Sequence, residues 1–181
     1  MFLRNHLFHM FYNVSWHSNR DFPQVHSVRY RVLNAVCTGN IEDLESCLKE
    51  GWDINAPIDF DQRYNAASLA AHLDRLEMLH YLDLRGADLS NGAGKVGNTP
   101  LMTGMMNWNV RVIDYLTERG VDPYVTDKYG FTALKKAQIK NLRTISSMLT
   151  AYEKKYEALQ HASKEKRESE IINPITSKGW E

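Results

Sequence analysis

Short segments of the chain place apolar residues three and four positions apart, with polar residues between them. The clearest are residues 41–48, 76–82 and 110–116. This spacing gives a helix one apolar face, so each segment is predicted to be a helix that buries that face. A glycine follows each segment, where helices commonly end in a left-handed residue. The pattern therefore predicts an all-α fold of short amphipathic helices.

These helix ends recur with a nearly constant period. Gly51, Gly86 and Gly120 lie 35 and 34 residues apart, and the motif at residues 97–101 (GNTPL) returns 33 residues later at 130–134 (GFTAL). The threonine of each motif is predicted to cap a helix with its hydroxyl. The proline after the first threonine suits a first helical turn, which does not use its N–H. Each unit is predicted to be a helix, a turn and a second helix.

These residues resemble the ankyrin-repeat family, whose period and Thr-Pro-Leu signature they share. The resemblance covers residues 29–151 as four units, 29–55, 56–89, 90–122 and 123–151. It implies a solenoid of paired antiparallel helices with β-hairpin fingers between the units. The family's signature histidine is absent, and Leu33, Ser68, Met102 and Lys135 hold its places.

The turn between the two helices of a unit also departs from the family. Its glycine survives only as Gly39, and the corresponding positions hold Asp74, Trp108 and Asn141. Asparagine tolerates a left-handed backbone, whereas tryptophan does so poorly. Either the turn at Trp108 is reshaped, or something outside the chain holds the ring.

The two flanks do not fit the repeat. Residues 1–28 have no acid before Asp21, carry Arg4 and Arg20, and place several apolar residues on one helical face. Such an N-terminal amphipathic segment is typical of mitochondrial import signals, and it equally suits a helix that covers the first unit. Residues 152–181 are predicted to form a charged helix followed by an extended C-terminal tail.

Composition narrows the possible functions. The chain has 22 basic and 22 acidic residues, so no overall field attracts it to DNA, RNA or anionic lipid. Two cysteines without a Cys-x-x-Cys motif indicate reduced thiols rather than a disulfide framework or zinc site. No apolar run approaches the ~18 residues of a membrane span. The sequence predicts a soluble or peripheral protein.

Candidate chemical motifs are weak. Residues 92–95 (GAGK) lack the earlier glycine and the Ser or Thr of a phosphate-binding loop. His6 and His9 have no nearby carboxylate or thiol that would complete a metal site. No Ser-His-Asp or Cys-His arrangement is expected from the repeat geometry. The sequence thus predicts no catalytic residue, cofactor or metal, and a protein that is not an enzyme.

The finger tips offer a binding edge. Arg63, Lys95 and Lys128 are predicted to align because successive units stack in register, with Tyr124 and Tyr129 adding aromatic surface. The alternative is an ordinary solvated face. Further partner-binding candidates are Trp108, Trp180 and the helical pair Tyr152 and Tyr156.

The functional prediction is a non-catalytic scaffold, most simply a structural accessory subunit of a respiratory-chain complex or the mitochondrial ribosome. Its partners would be other protein subunits, with RNA only in the ribosomal case and no DNA. The alternative is a cytosolic ankyrin adaptor that recruits a partner through its finger edge. The predicted location is accordingly mitochondrial, otherwise cytoplasmic.

Overall fold

The computed structural model describes residues 27–58, 64–92 and 95–176, with side chains as far as residue 168. These ranges contain eight α-helices and no β-strand, and a single isolated bridge joins Pro57 and Asn65. The all-α prediction is confirmed for this part of the chain. The helices are α1 (Val28–Thr38), α2 (Ile41–Lys49), α3 (Ala66–His72), α4 (Leu76–Leu84), α5 (Pro100–Met106), α6 (Val110–Glu118), α7 (Ala133–Ile139) and α8 (Arg143–Thr176).

The helices form four consecutive pairs in two layers. Within each pair the helices pack on one another, and the first helices of successive pairs, α1, α3, α5 and α7, also pack side by side. We call these four the inner helices and the others the outer helices. The two central inner helices are buried at nearly every position, since small residues such as Ala66, Ala70 and Gly104 allow close packing. Outer helix α6 buries one face through Val112, Ile113 and Leu116.

Side-chain caps fix where the inner helices begin. Thr99 accepts a hydrogen bond from the Met102 backbone N–H, and Thr132 accepts one from Lys135, each at 3.2 Å. Both predicted threonine caps are confirmed. Asn65 takes the same position before α3 and accepts from Ser68 N at 2.8 Å, while the Ser68 hydroxyl oxygen accepts from Asn65 N. These caps satisfy amide groups that a helix start otherwise leaves unpaired.

The turns inside the four pairs share one backbone conformation. Gly39, Asp74, Trp108 and Asn141 all have positive φ, at 77°, 55°, 62° and 56°. The turn at Trp108 is therefore not reshaped. Its backbone adopts the left-handed conformation that glycine adopts in the first turn, although an indole side chain is attached.

Side chains also join successive pairs. Arg75 donates to the carbonyl of Cys37 at 3.0 Å, and Asn109 donates to that of Ala71 at 2.7 Å. In each case a residue beside a turn satisfies a carbonyl at the end of the preceding inner helix. Because that carbonyl has no partner within its own helix, the bond stabilises the stacking of the pairs.

The last outer helix is far longer than the others. Helix α8 spans 34 residues and continues through residues 171–175, which were predicted to be an extended tail. Its first half packs on α7, and its later side chains are exposed as far as they are described. The run of Glu, Lys, Ala and Gln favours helix beyond the packed region. The predictions for residues 1–26 and for Trp180 lie outside the described residues.

Candidate binding surfaces

The loops before α5 and α7 form what we call the fingertip edge, consisting of Lys95, Val96, Lys128 and Tyr129. The Lys128 backbone N–H donates to the Val96 carbonyl at 3.0 Å, so the two loops lie side by side. The Lys128 ammonium lies 4.8 Å from the centre of the Tyr129 ring, a cation–π contact. Both side chains are exposed. Arg63, the third predicted cation of this edge, lies outside the described residues.

A buried ion pair supports this edge from below. Lys136 Nζ lies 2.7 Å from Asp127 Oδ2 and donates to Asn98 Oδ1 at 2.5 Å. The other Asp127 oxygen accepts the backbone N–H groups of Tyr129 and Phe131, each at 2.9 Å. Burial alone raises the pKa of Asp127, but these hydrogen bonds outweigh it and hold the pKa below its ordinary value. The ionised carboxylate therefore organises the loop that carries Lys128 and Tyr129.

Three tyrosines join helix α8 to the segment between the third and fourth pairs. The buried Tyr152 hydroxyl donates to the Val121 carbonyl at 2.5 Å, and the Tyr124 hydroxyl donates to Glu157 Oε1 at 2.6 Å. The Tyr156 ring lies between them, with ring centres 6.3 Å from Tyr124 and 6.1 Å from Tyr152. Tyr152 thus contacts its own chain, whereas Tyr124 and part of Tyr156 face solvent.

An open groove of about 490 Å³ lies beside these tyrosines. Its lining combines two aromatic rings with charges of both signs. We call it the tyrosine groove; its residues are Tyr124, Tyr156, Glu157, Gln160, His161, Lys164 and Arg167. It was not anticipated from the sequence, although the i, i+4 spacing of Tyr152 and Tyr156 indicated an apolar seam on this helix.

A polar cluster joins outer helices α4 and α6. Arg119 Nε lies 2.6 Å from Asp83 Oδ2, which also accepts from the Tyr115 hydroxyl at 2.6 Å, and His80 Nδ1 lies 3.2 Å from that hydroxyl. Burial and the hydrogen bond to Asp83 raise the pKa of Tyr115, so the phenol stays protonated at neutral pH. The cluster acts as a clamp between pairs. Asp83 and Tyr115 lie 32 residues apart, about one repeat period, and this spacing was not recognised in the sequence.

The turn inside the third pair exposes its aromatic residue. Trp108 is 66% exposed, and Val110 beside it is 41% exposed. Ile139, at the end of the next inner helix, is 62% exposed. Trp108 and the fingertip edge lie at opposite ends of the inner helices and do not form one surface.

The two thiols are not activated. Cys47 is fully buried, and burial raises the pKa of Cys37 to about 11. A thiol acts as a nucleophile only as thiolate, so neither is poised for attack at neutral pH.

The described ranges contain no group of three or more His, Cys, Asp or Glu placed to hold a metal ion. None of the helices in these ranges is long and apolar enough to cross a membrane.

Comparison with curated proteins finds similarity to parts of two enzymes. It is 30% identical over 97 residues to the palmitoyltransferase AKR1 of Lachancea kluyveri, a match that covers 53% of this chain and 13% of that protein. It is 26% identical over 105 residues to the mouse palmitoyltransferase ZDHHC13, covering 57% of this chain and 16% of that protein. The chain thus matches less than a fifth of either relative. No protein-family model matches it.

These relatives contradict the functional prediction. The prediction of a non-catalytic accessory subunit, with a cytosolic adaptor as its alternative, is wrong, because both relatives are named as palmitoyl-transferring enzymes. The predictions that the protein is not an enzyme, and that its partners are other protein subunits of a complex, fail with it. The error has a physical reason. The absence of a catalytic motif from a helical array does not exclude similarity to part of an enzyme. The mitochondrial location stays a prediction.

Proposed function

We propose that this chain takes part in palmitoyl transfer by binding the protein that accepts the palmitoyl group. The similarity to two palmitoyltransferases over about half of the chain carries this proposal. Acyl transfer needs a nucleophile that is ionised or has a base beside it. Neither described thiol meets that requirement, so holding the acceptor suits these residues better than the bond-making step.

We further propose that the four helix pairs are ankyrin repeats with β-hairpin fingers between them. The 33- to 35-residue period, the threonine caps and the four left-handed turns support this proposal. The contact between the loops at Val96 and Lys128 supports stacked fingers. Arrays of this kind present extended surfaces to other macromolecules, which agrees with an acceptor-binding role.

The tyrosine groove is the acceptor site that we propose. Its volume lies within the usual range of ligand clefts, and two rigid aromatic rings offer apolar area at little entropic cost. Lys164 and Arg167 follow along the same helix and would pair with acidic groups. The groove therefore fits a peptide segment that carries an apolar side chain next to acidic residues.

Metabolic labelling with an alkyne-bearing palmitate analogue tests the proposal. Cells that lack the protein should lose the label on its acceptor proteins, and re-expression of the chain should restore it. Tyr124→Ala removes an aromatic wall of the groove and should fail to restore labelling. Tyr129→Ala is the matched control, because it removes the same side chain at the fingertip edge.

Two results would separate the claims. An unchanged pattern of labelled proteins in the deletion cells would refute a role in palmitoyl transfer. If deletion abolishes labelling but Tyr124→Ala restores it as well as Tyr129→Ala does, the groove is not the acceptor site, although the role in transfer stands.

A further inference from the structure

The end of the array opposite the fingertips carries an unusual combination of residues. We call it the turn edge and define it as the turns of the third and fourth pairs, residues 105–111 and 138–144. Each turn follows the C-terminus of an inner helix, and these two helices, α5 and α7, pack side by side. The two turns therefore lie next to each other on one edge of the molecule.

Trp108 is the least expected residue of this edge. A left-handed backbone is unfavourable for a bulky side chain, and the matching turns use glycine, aspartate and asparagine instead. Burial of the ring would compensate, yet Trp108 is 66% exposed. A strained backbone beneath an exposed ring is typical of binding sites. The position thus keeps a protruding ring that the fold itself does not need.

The neighbours of Trp108 extend the apolar surface. Val110 lies two residues further along the chain, and Ile139 ends the adjacent inner helix, both with exposed side chains. At the position equivalent to Ile139, the preceding unit has Met106, which is half-buried against the core. Large apolar residues therefore project from both turns.

The charges of the same edge have one sign. Arg111, Lys140 and Arg143 are all exposed, and neither turn contains an aspartate or glutamate. No salt bridge of these three is found among the described residues. The acids that flank the edge are the exposed Asp74, in the adjoining turn of the second pair, and Asp114, on the next turn of α6. The chain as a whole is neutral, so this cationic edge is a local feature.

We propose that the turn edge binds the surface of an anionic lipid bilayer. Trp108 and Ile139 would enter the headgroup region, where tryptophan is preferred, while the three cations meet lipid phosphates and carboxylates. Long basic side chains reach those groups with their apolar stems lying along the membrane. The binding would orient the array with its fingertips away from the membrane.

A bilayer fits this edge better than a protein partner does. A stable protein interface needs about 20–30 residues on each side and a matching partner surface. The two turns supply fewer residues, and they protrude rather than form a groove. A fluid bilayer adapts to a small protruding edge, since interfacial binding depends on apolar area and charge. The inference goes beyond the proposed role in palmitoyl transfer and does not depend on it.

Vesicle sedimentation of the chain tests the inference. Phosphatidylcholine vesicles with 30% phosphatidylserine, on the order of a cytoplasmic leaflet's charge, should retain the protein, and salt should weaken the binding. Trp108→Gly removes the ring at a position whose backbone suits glycine, so the variant should fold and bind on the order of tenfold more weakly. Loss of one cation weakens the affinity for the vesicles by about fivefold. Lys140→Glu with Arg143→Glu should therefore weaken binding by at least about 25-fold.

The matched control moves the same charge change to the opposite edge. Lys95→Glu with Lys128→Glu leaves the turn edge intact and should bind like the parent. Circular dichroism would establish that every variant is folded. Equal loss of binding in both double variants, or equal binding to vesicles without phosphatidylserine, would overturn the proposal. Failure of the parent chain to bind the vesicles would also overturn the proposal. If that chain binds polyglutamate-coated beads instead, the turn edge binds an acidic protein surface.

Discussion

Replacing Lys136 by methionine isolates the role of the buried ion pair under the fingertip edge. Methionine is similar in length and helix propensity, so the change mainly removes the charge. Lys136 is 14% exposed at its side chain and Asp127 only 1%, and their charged atoms lie 2.7 Å apart. The variant would leave the Asp127 carboxylate buried without its cation.

The expected loss of stability follows from that geometry. Removing one partner of a buried ion pair costs about 3–5 kcal/mol, mainly because the remaining charge is uncompensated. Asp127 keeps two backbone hydrogen bonds from Tyr129 and Phe131, which moves the expectation to the lower end of that range. A loss of about 3 kcal/mol is large against a total of ~5–15 kcal/mol.

Urea unfolding at several pH values measures the effect. The folded pKa of Asp127 lies below its unfolded value of about 3.9, so its stabilising contribution is complete above that value and disappears as the pH falls through the folded pKa. Lys136→Met removes one of the interactions that lower the pKa of Asp127. The variant should therefore be less stable at pH 7, and should lose less stability than the parent below about pH 4.

Two further variants decide the interpretation. Lys135→Met removes an exposed charge from the same helix and should change stability by less than about 0.5 kcal/mol. Lys136→Met with Asp127→Asn removes both charges and should recover part of the loss. If Lys136→Met unfolds like the parent at every pH, the ion pair does not stabilise the fold as described.

Two other properties of the chain are open to direct measurement. Leu101 is buried in α5, so Leu101→Ala should cost about 2–5 kcal/mol in chemical unfolding, and a variant that melts like the parent would contradict the core assignment. Because burial raises the pKa of Cys37 to about 11 and Cys47 is fully buried, both thiols should react with a disulfide reagent far more slowly than glutathione does at pH 7.5. Urea should remove the difference, and fast reaction of the native chain would show that the thiols are accessible.

Local signals in the sequence were sufficient for the helices and their starts. Residues within one or two helical turns of each other form the caps at Thr99 and Thr132. The apolar spacing of the outer helices is equally local. Such contacts are short in sequence, so pattern analysis identifies them. The sequence did not show how far α8 extends, because its later half has no packing partner that would mark an end.

The candidate sites depended on contacts that the sequence does not display. The tyrosine groove forms only because Tyr124, in the loop before α7, meets Glu157 on α8, 33 residues later. The hydrogen bond from Lys136 to Asn98 and the clamp at Asp83 likewise require the stacked pairs. The functional prediction went wrong for a different reason, since the absence of a catalytic motif does not separate a scaffold from a binding part of an enzyme.

By itself, the sequence determined the all-α class, the helix period and the threonine caps, because each depends on residues that lie close together in the sequence. Only the tertiary structure decided the conformation at Trp108. Its sequence position allowed a reshaped turn or an external contact, and the observed φ of 62° with an exposed ring excludes the first. Stacking of the neighbouring pairs holds that backbone in place, and the energy of such packing cannot be read from one turn alone.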